Sequence, residues 1–233
     1  MSVAIAALVL AVAQQAGQPA TVPMRDEPYH HPVFENPQVA VYNVVLPVGA
    51  VMRYHEHPTN HLAIVIESGR MRNEVTGRSA KLNPTGGPGT IVYLPAGPPH
   101  RQTNIGPTTV RFIAVELLTP PRSPEGQPPS MVAEDQRAAP DARTGCRVAL
   151  EAADVRAWRC RLEPGDSVPG RPRDGPFLRI AVSGGRLEQA LAPGQPRVED
   201  LRPGASLWYP APESGTPKNA SATVLEFVDL EWK

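Results

Sequence analysis

The second half of this chain repeats the first without its histidines, and that repeat limits the possible folds more than any other feature. Gly89, Pro95 and Asn104 recur with the same spacing as Gly204, Pro210 and Asn219, yet Gly215 stands where the first copy has His100. An earlier segment behaves alike. Gly49 is followed by His55, Glu56 and His57, whereas Gly165 is followed by Arg171, Pro172 and Arg173. Glu35, Val39, Gly49 and Gly69 precede Glu151, Val155, Gly165 and Gly185 by about 116 positions, and the Gly89 segment precedes its copy by about 115, so one loop deletion accounts for the slip. The pattern is that of a duplicated β-domain in which only the first copy still holds a metal.

The local patterning supports short strands. The 29 prolines and 19 glycines suit strands joined by turns. Val39 to Leu46 is β-branched and aromatic and ends at Pro47 and Gly49. Leu62 to Ile66 is a short apolar run closed by Ser68-Gly69, and Ile91–Leu94 and Val110–Leu118 are further strands. No window gives a long amphipathic helix, so the expected class is all-β. Residues 119–143 carry Pro120, Pro121, Pro124, Pro128, Pro129 and Pro140 among polar residues and read as an interdomain linker. It separates a first domain at 26–118 from a second at 144–233.

Composition narrows the partners. The formal net charge is +0 with no basic stripe, which argues against nucleic acid. No run of 18 apolar residues predicts a membrane span in the mature chain. Val3 to Val12 is apolar but too short to cross a bilayer, and it ends in Ala11-Val12-Ala13, a small-x-small pattern. Residues 1–13 therefore read as an export signal, and 14–25 as an extended arm. The two cysteines, Cys146 and Cys160, fall on two strands joined at Ala152-Ala153, which sets them opposite each other. In an exported chain they can form a disulfide; as free thiols they would be two small buried hydrophobes.

Gly89, Pro95, Gly97, His100 and Asn104 match every fixed position of the second signature of the cupin superfamily, and Gly49, His55 and His57 match the start of its first. The chain resembles a bicupin, strongly over about 30–118 and weakly over 144–233. The resemblance implies two tandem jelly-roll barrels joined by the Pro-rich linker, with one mononuclear transition metal (Fe, Zn, Cu, Ni or Mn) in the first. His55, His57 and His100 would be ligands, the first two projecting together because alternate strand residues share a face. The family usually places Glu three or four residues further on. His61 fills that slot if the gap is three and Leu62 if it is four. Alternation does not decide between them, because Leu62 to Ile66 is apolar on both faces. His61 is preferred, since leucine contributes nothing to such a site.

Other residues are secondary. Arg53 and Gln102 share faces with His55 and His100 and are candidates for binding an anion. Glu67 and Glu116 are available as bases but read first as solvated charges, Asn104 as a turn brace, and His30 and His31 as structural or exposed. In the second copy Arg171, Arg173, Phe177 and Gly215 occupy the ligand positions, and none suits a cation. That copy is expected to cover the edges of the first barrel. An all-imidazole shell leaves the ion its full charge and favours a small anionic, chelating ligand such as a diketonate, carboxylate or catecholate. The favoured function is a metal-dependent oxygenase. The alternatives are a non-redox zinc cyclase, isomerase or lyase, and a periplasmic binding or structural protein.

Overall fold

The computed structural model describes residues 20–119, 136–171, 173–190, 196–210 and 215–233. The export signal and most of the Pro-rich linker lie outside them. Among the described residues the one helical piece is a 3-10 turn, Met24–Asp26, and no helix is long and apolar enough to cross a membrane.

The first barrel contains β1 (Thr21–Pro23), β2 (His30–Glu35), β3 (Val39–Leu46), β4 (Tyr54–Glu56), β5 (His61–Glu67), β6 (Arg70–Val75), β7 (Lys81–Pro84), β8 (Ile91–Leu94), β9 (His100–Asn104) and β10 (Val110–Leu117). It is a sandwich of two sheets. One runs β1-β4-β9-β6-β7. The other runs β8-β5-β10-β3-β2 and gains an edge strand, β11 (Gln136–Ala138), antiparallel to β8. The end of the expected linker is thus part of the first barrel's sheet. So is the expected arm: β1 pairs in parallel with β4, and Met24 is buried in the barrel core.

The second barrel repeats the plan with β12 (Gly145–Glu151), β13 (Val155–Leu162), β14 (Phe177–Ala181), β15 (Gly185–Ala190), β16 (Arg197–Leu201), β17 (Ser206–Tyr209), β18 (Thr216–Asn219) and β19 (Leu225–Trp232). Its sheets run β12-β13-β19-β14-β17 and β16-β15-β18. The register repeats as well: His30 faces Val44 across β2 and β3, and Cys146 faces Cys160 across β12 and β13. The two cysteines form a disulfide.

Residues shared by the two copies hold turns rather than chemistry. Gly89 and Gly204 sit at φ 80° and 82°, a left-handed conformation that glycine adopts without a Cβ clash. Asn104 donates through Nδ2 to the carbonyls of Leu46, Pro47 and Thr108 at 2.9, 3.1 and 2.8 Å. Asn219 does the same to Leu162 and Thr223 at 3.0 and 2.8 Å.

Strand alternation splits the apolar residues into three cores. Inside the first barrel are Tyr42, Val44, Leu46, Met52, Val110 and Phe112. Inside the second are Cys160, Leu162, Leu187, Leu225 and Phe227. The third and largest lies between the barrels, where Val41, Leu62, Ile64, Ile113 and Val115 meet Val155, Ala157, Leu178, Ile180, Val228 and Leu230. The second barrel therefore covers a sheet face of the first, not its edges, because β3, β5 and β10 are apolar on both sides. The seam carries a polar knot. Asn60 donates through Nδ2 to Asp154 at 2.8 Å, and the Tyr93 hydroxyl donates to the same carboxylate at 3.3 Å.

Candidate metal centre

Leu62, Ile64 and Ile66 of β5 face the seam. Its other side carries Ala63 on the barrel core and His61, buried, against His57. Leu62 is thus outside the barrel and His61 inside it. His55 on β4 sits directly across from His100 on β9, with their rings 4.5 Å apart. The His57 ring lies 5.1 Å from those of both His55 and His100. The four imidazoles singled out from the sequence are brought to one end of the first barrel.

Two further residues stand with them that the sequence reading placed elsewhere. His30 is only 4% exposed, and its ring lies 4.9 Å from His55 and 6.2 Å from His57. Glu116 is 2% exposed rather than a solvated charge, and its Oε1 accepts from His57 Nδ1 at 2.5 Å. The Thr59 hydroxyl donates to Oε2 of the same carboxylate at 2.8 Å. The signal for Glu116 was available: it continues the inward series Val110, Phe112, Ala114 on β10. His31 is exposed, and Glu67 lies on the surface 4.0 Å from Arg111.

Arg53 presents its side chain to solvent, and its main chain reaches the cluster. The Arg53 carbonyl accepts from His55 Nδ1 at 3.0 Å, and its N–H donates to Glu27 Oε1 at 3.3 Å. The cause is a break in alternation: β4 begins only at Tyr54, so Met52 and His55, three apart, both point inward. Gln102 is partly exposed, and its carbonyl accepts from the Met52 N–H.

The acceptors on Nδ1 decide what the imidazoles can do. A carbonyl or carboxylate oxygen holds the proton on Nδ1 and leaves the Nε2 lone pair free for a cation, the usual outer bond of a metal-binding histidine. His30, His55 and His57 all carry such a bond, the first from Nδ1 to Glu27 Oε2 at 3.0 Å. His61 Nδ1 is buried, with only a weak backbone contact to Thr59. Burial also favours the neutral, ligating form of four rings, His30, His55, His61 and His100. It lowers His55 to about 3, and the neighbouring imidazoles add to the shift. It likewise holds His61 and His100 well below the usual value and His30 below it, the last against the opposing pull of Glu27. The donor set fits a borderline transition metal such as Zn, Fe, Cu or Ni. His57 lies face to face with His61, 3.8 Å apart and 11° from parallel, and is 12° from parallel with His100 at 5.1 Å. Parallel stacked rings cannot both aim in-plane lone pairs at one point, so sharing an ion would require one ring of each pair to turn.

Residues 42–116 match the family model described as the cupin domain. AerE from Microcystis aeruginosa has a similar structure, with TM-score 0.61 and 14% identity over 89% of this chain and 98% of that one. A point mutant of Bacillus subtilis oxalate decarboxylase OxdC gives 0.61 and 15% over 90% and 76%, and a cupin 2 conserved barrel domain protein from Leptotrichia buccalis gives 0.52 and 11% over 87% of each chain. No curated protein matches the sequence.

The first barrel carries a cupin domain. The second barrel shares the fold but not the histidines, and the structure gives that difference a physical form. Cys146 stands where His30 stands, Arg171 and Arg173 replace His55 and His57, and Phe177 replaces His61. The cross-strand pair Ala63 and Ala114 becomes Arg179 and Asp229. Arg179 holds the fully buried Asp229 through two bonds, Nε to Oδ1 at 2.8 Å and Nη2 to Oδ2 at 3.0 Å. Arg173 adds a third at 2.7 Å, and Arg171 pairs with Glu231, the counterpart of Glu116. Burial alone would raise the Asp229 pKa, but the three guanidinium groups hold it below its ordinary value. The arginines of the second barrel bring their own carboxylates, so they form a filled ionic core and not an anion pocket.

Proposed function

We propose that the first barrel is a mononuclear metal centre and that the protein is a metal-dependent oxygenase acting on a small chelating organic anion. The observation that carries this reading is the convergence of buried imidazoles whose Nδ1 protons are engaged by the Arg53 carbonyl and Glu116. His55, His57 and His100 would hold the ion, with His61 beside them. A bound ion would supply Lewis acidity and, if it is Fe, Cu, Ni or Mn, one-electron chemistry.

The residues of the chain supply position and charge. Thr59 fixes Glu116, and Glu116 fixes the His57 ring. Neutral imidazoles leave the cationic charge of the ion undiminished, which draws in an anion. Both carboxylates in the cluster, Glu27 and Glu116, are engaged with imidazole N–H groups. Chelating ligands whose own acidity rises on binding a cation, such as diketones, flavonols and catechol-like acids, therefore suit the site best. His100 is the partly exposed member, so ligands would enter on its side.

Oxygen uptake by Fe-, Cu- and Zn-loaded protein against those three ligand classes tests the proposal. Consumption of oxygen with a redox-capable ion and none with zinc is expected. Turnover with zinc alone, independent of oxygen, would move the chain to the Lewis-acid class. Thermal stabilisation by one ligand without any turnover would make it a binding protein.

Export is part of the same reading. It is supported by the apolar run before Ala13 and by the Cys146–Cys160 disulfide, a bond that persists in oxidising compartments. Intact mass of secreted or periplasmic protein should show cleavage near Ala13.

A further inference from the structure

We infer that His30, which lies outside both cupin signatures, is a ligand of the same ion and that bound metal pins the segment Thr21–His30. This rests on the first barrel holding an ion. Among the described residues His30, His55 and His57 are all buried and bring one nitrogen each within 4.8 Å of one another. Their three rings are mutually inclined by 61–64° and meet edge to face, so the parallel stacking that separates lone pairs is absent from this group. His30 also has the outer bond of a metal ligand. Glu27, 1% exposed, accepts from His30 Nδ1 at 3.0 Å and from the Tyr29 N–H at 2.8 Å on Oε2, while its Oε1 accepts from the Arg53 N–H. One carboxylate thereby turns the His30 ring and ties its segment to the strand that carries His55.

The repeat points the same way. At the position equivalent to His30 the degenerate barrel has Cys146, so His30 is missing from the second copy together with the counterparts of His55, His57, His61 and His100. A histidine kept only for packing has no reason to vanish with the ligands. The chemistry is that of an imidazole-rich shell suited to Zn or Cu, with fewer positions left for an incoming ligand than a three-histidine centre has.

The segment also supplies a second readout. Arg25 is exposed between β1 and β2, so trypsin can reach it, and an ion bound to His30 would pin it. The experiment uses the full chain with zinc alone. In wild-type protein carrying ¹⁵N-labelled histidine, zinc should move the His30 Nε2 resonance along with those of His55 and His57 and should slow cleavage at Arg25. His30→Ala should weaken zinc binding at least tenfold and abolish that protection. Glu27→Gln should weaken binding about 10–100-fold, as loss of an outer-shell partner does. An unmoved His30 resonance in zinc-loaded wild-type protein would overturn this inference even if His30→Ala failed to fold, and would leave the metal centre standing. Failure of the wild-type chain to bind zinc, copper, nickel or iron would instead overturn the metal centre itself.

Discussion

His57→Ala removes an imidazole fixed by Glu116, and His100→Ala removes one at the mouth of the cluster. Either should strip most bound metal, as measured by elemental analysis of protein purified without a chelating tag. Arg173→Ala, at the counterpart of His57, should leave metal content unchanged while costing up to about 3 kcal/mol, because Asp229 stays buried with one partner fewer. Acid should act on the same residues. A histidine whose pKa is lowered by folding takes up a proton more readily in the unfolded chain. Its contribution is complete above the unfolded value near 6.5 and is lost as pH falls through the folded value, about 3 for His55. Chelator-treated protein should therefore melt at a lower temperature near pH 5 than near pH 7, and zinc should raise the melting temperature at neutral pH.

Single elements show where sequence patterning succeeds and where it stops. β5 reads as apolar on both faces, so periodicity could not say whether His61 or Leu62 points inward. The answer is set by which face meets the second barrel, a tertiary fact absent from the strand itself. β2 is an edge strand with adjacent histidines, and alternation puts one of them inward without saying which. Glu27, three residues earlier, was the only local hint. The repeat, the strands and the turn-bracing asparagines were legible because each rests on local spacing. The Arg53 side chain was misplaced because a period of two was carried across a segment that is not strand. Ile64→Ala tests the outward face of β5. It should cost about 2–5 kcal/mol in denaturant unfolding by leaving a cavity in the seam, with metal content unchanged.

The two barrels meet through Asp154, which holds Asn60, the residue before His61. The Asn60 side-chain carbonyl in turn accepts from the Ala96 N–H at 3.0 Å. Asp154→Ala should cost about 1–3 kcal/mol by leaving Asn60 and Tyr93 without an acceptor. It should also loosen the loop leading into His61, read as a faster zinc off-rate. Asp154→Asn keeps an acceptor and should recover part of both losses.

The core between the barrels has a consequence for how this gene can change. A silent duplicate is ordinarily free to erode and disappear. Here, losing it would wet Leu62, Ile64, Ile113 and Val115, on the back of the very strands that carry His61 and Glu116. Residues 20–119 made alone should come out as aggregate, or should pair with one another through that bared face. The working half keeps its idle twin because it has no surface of its own to show on that side.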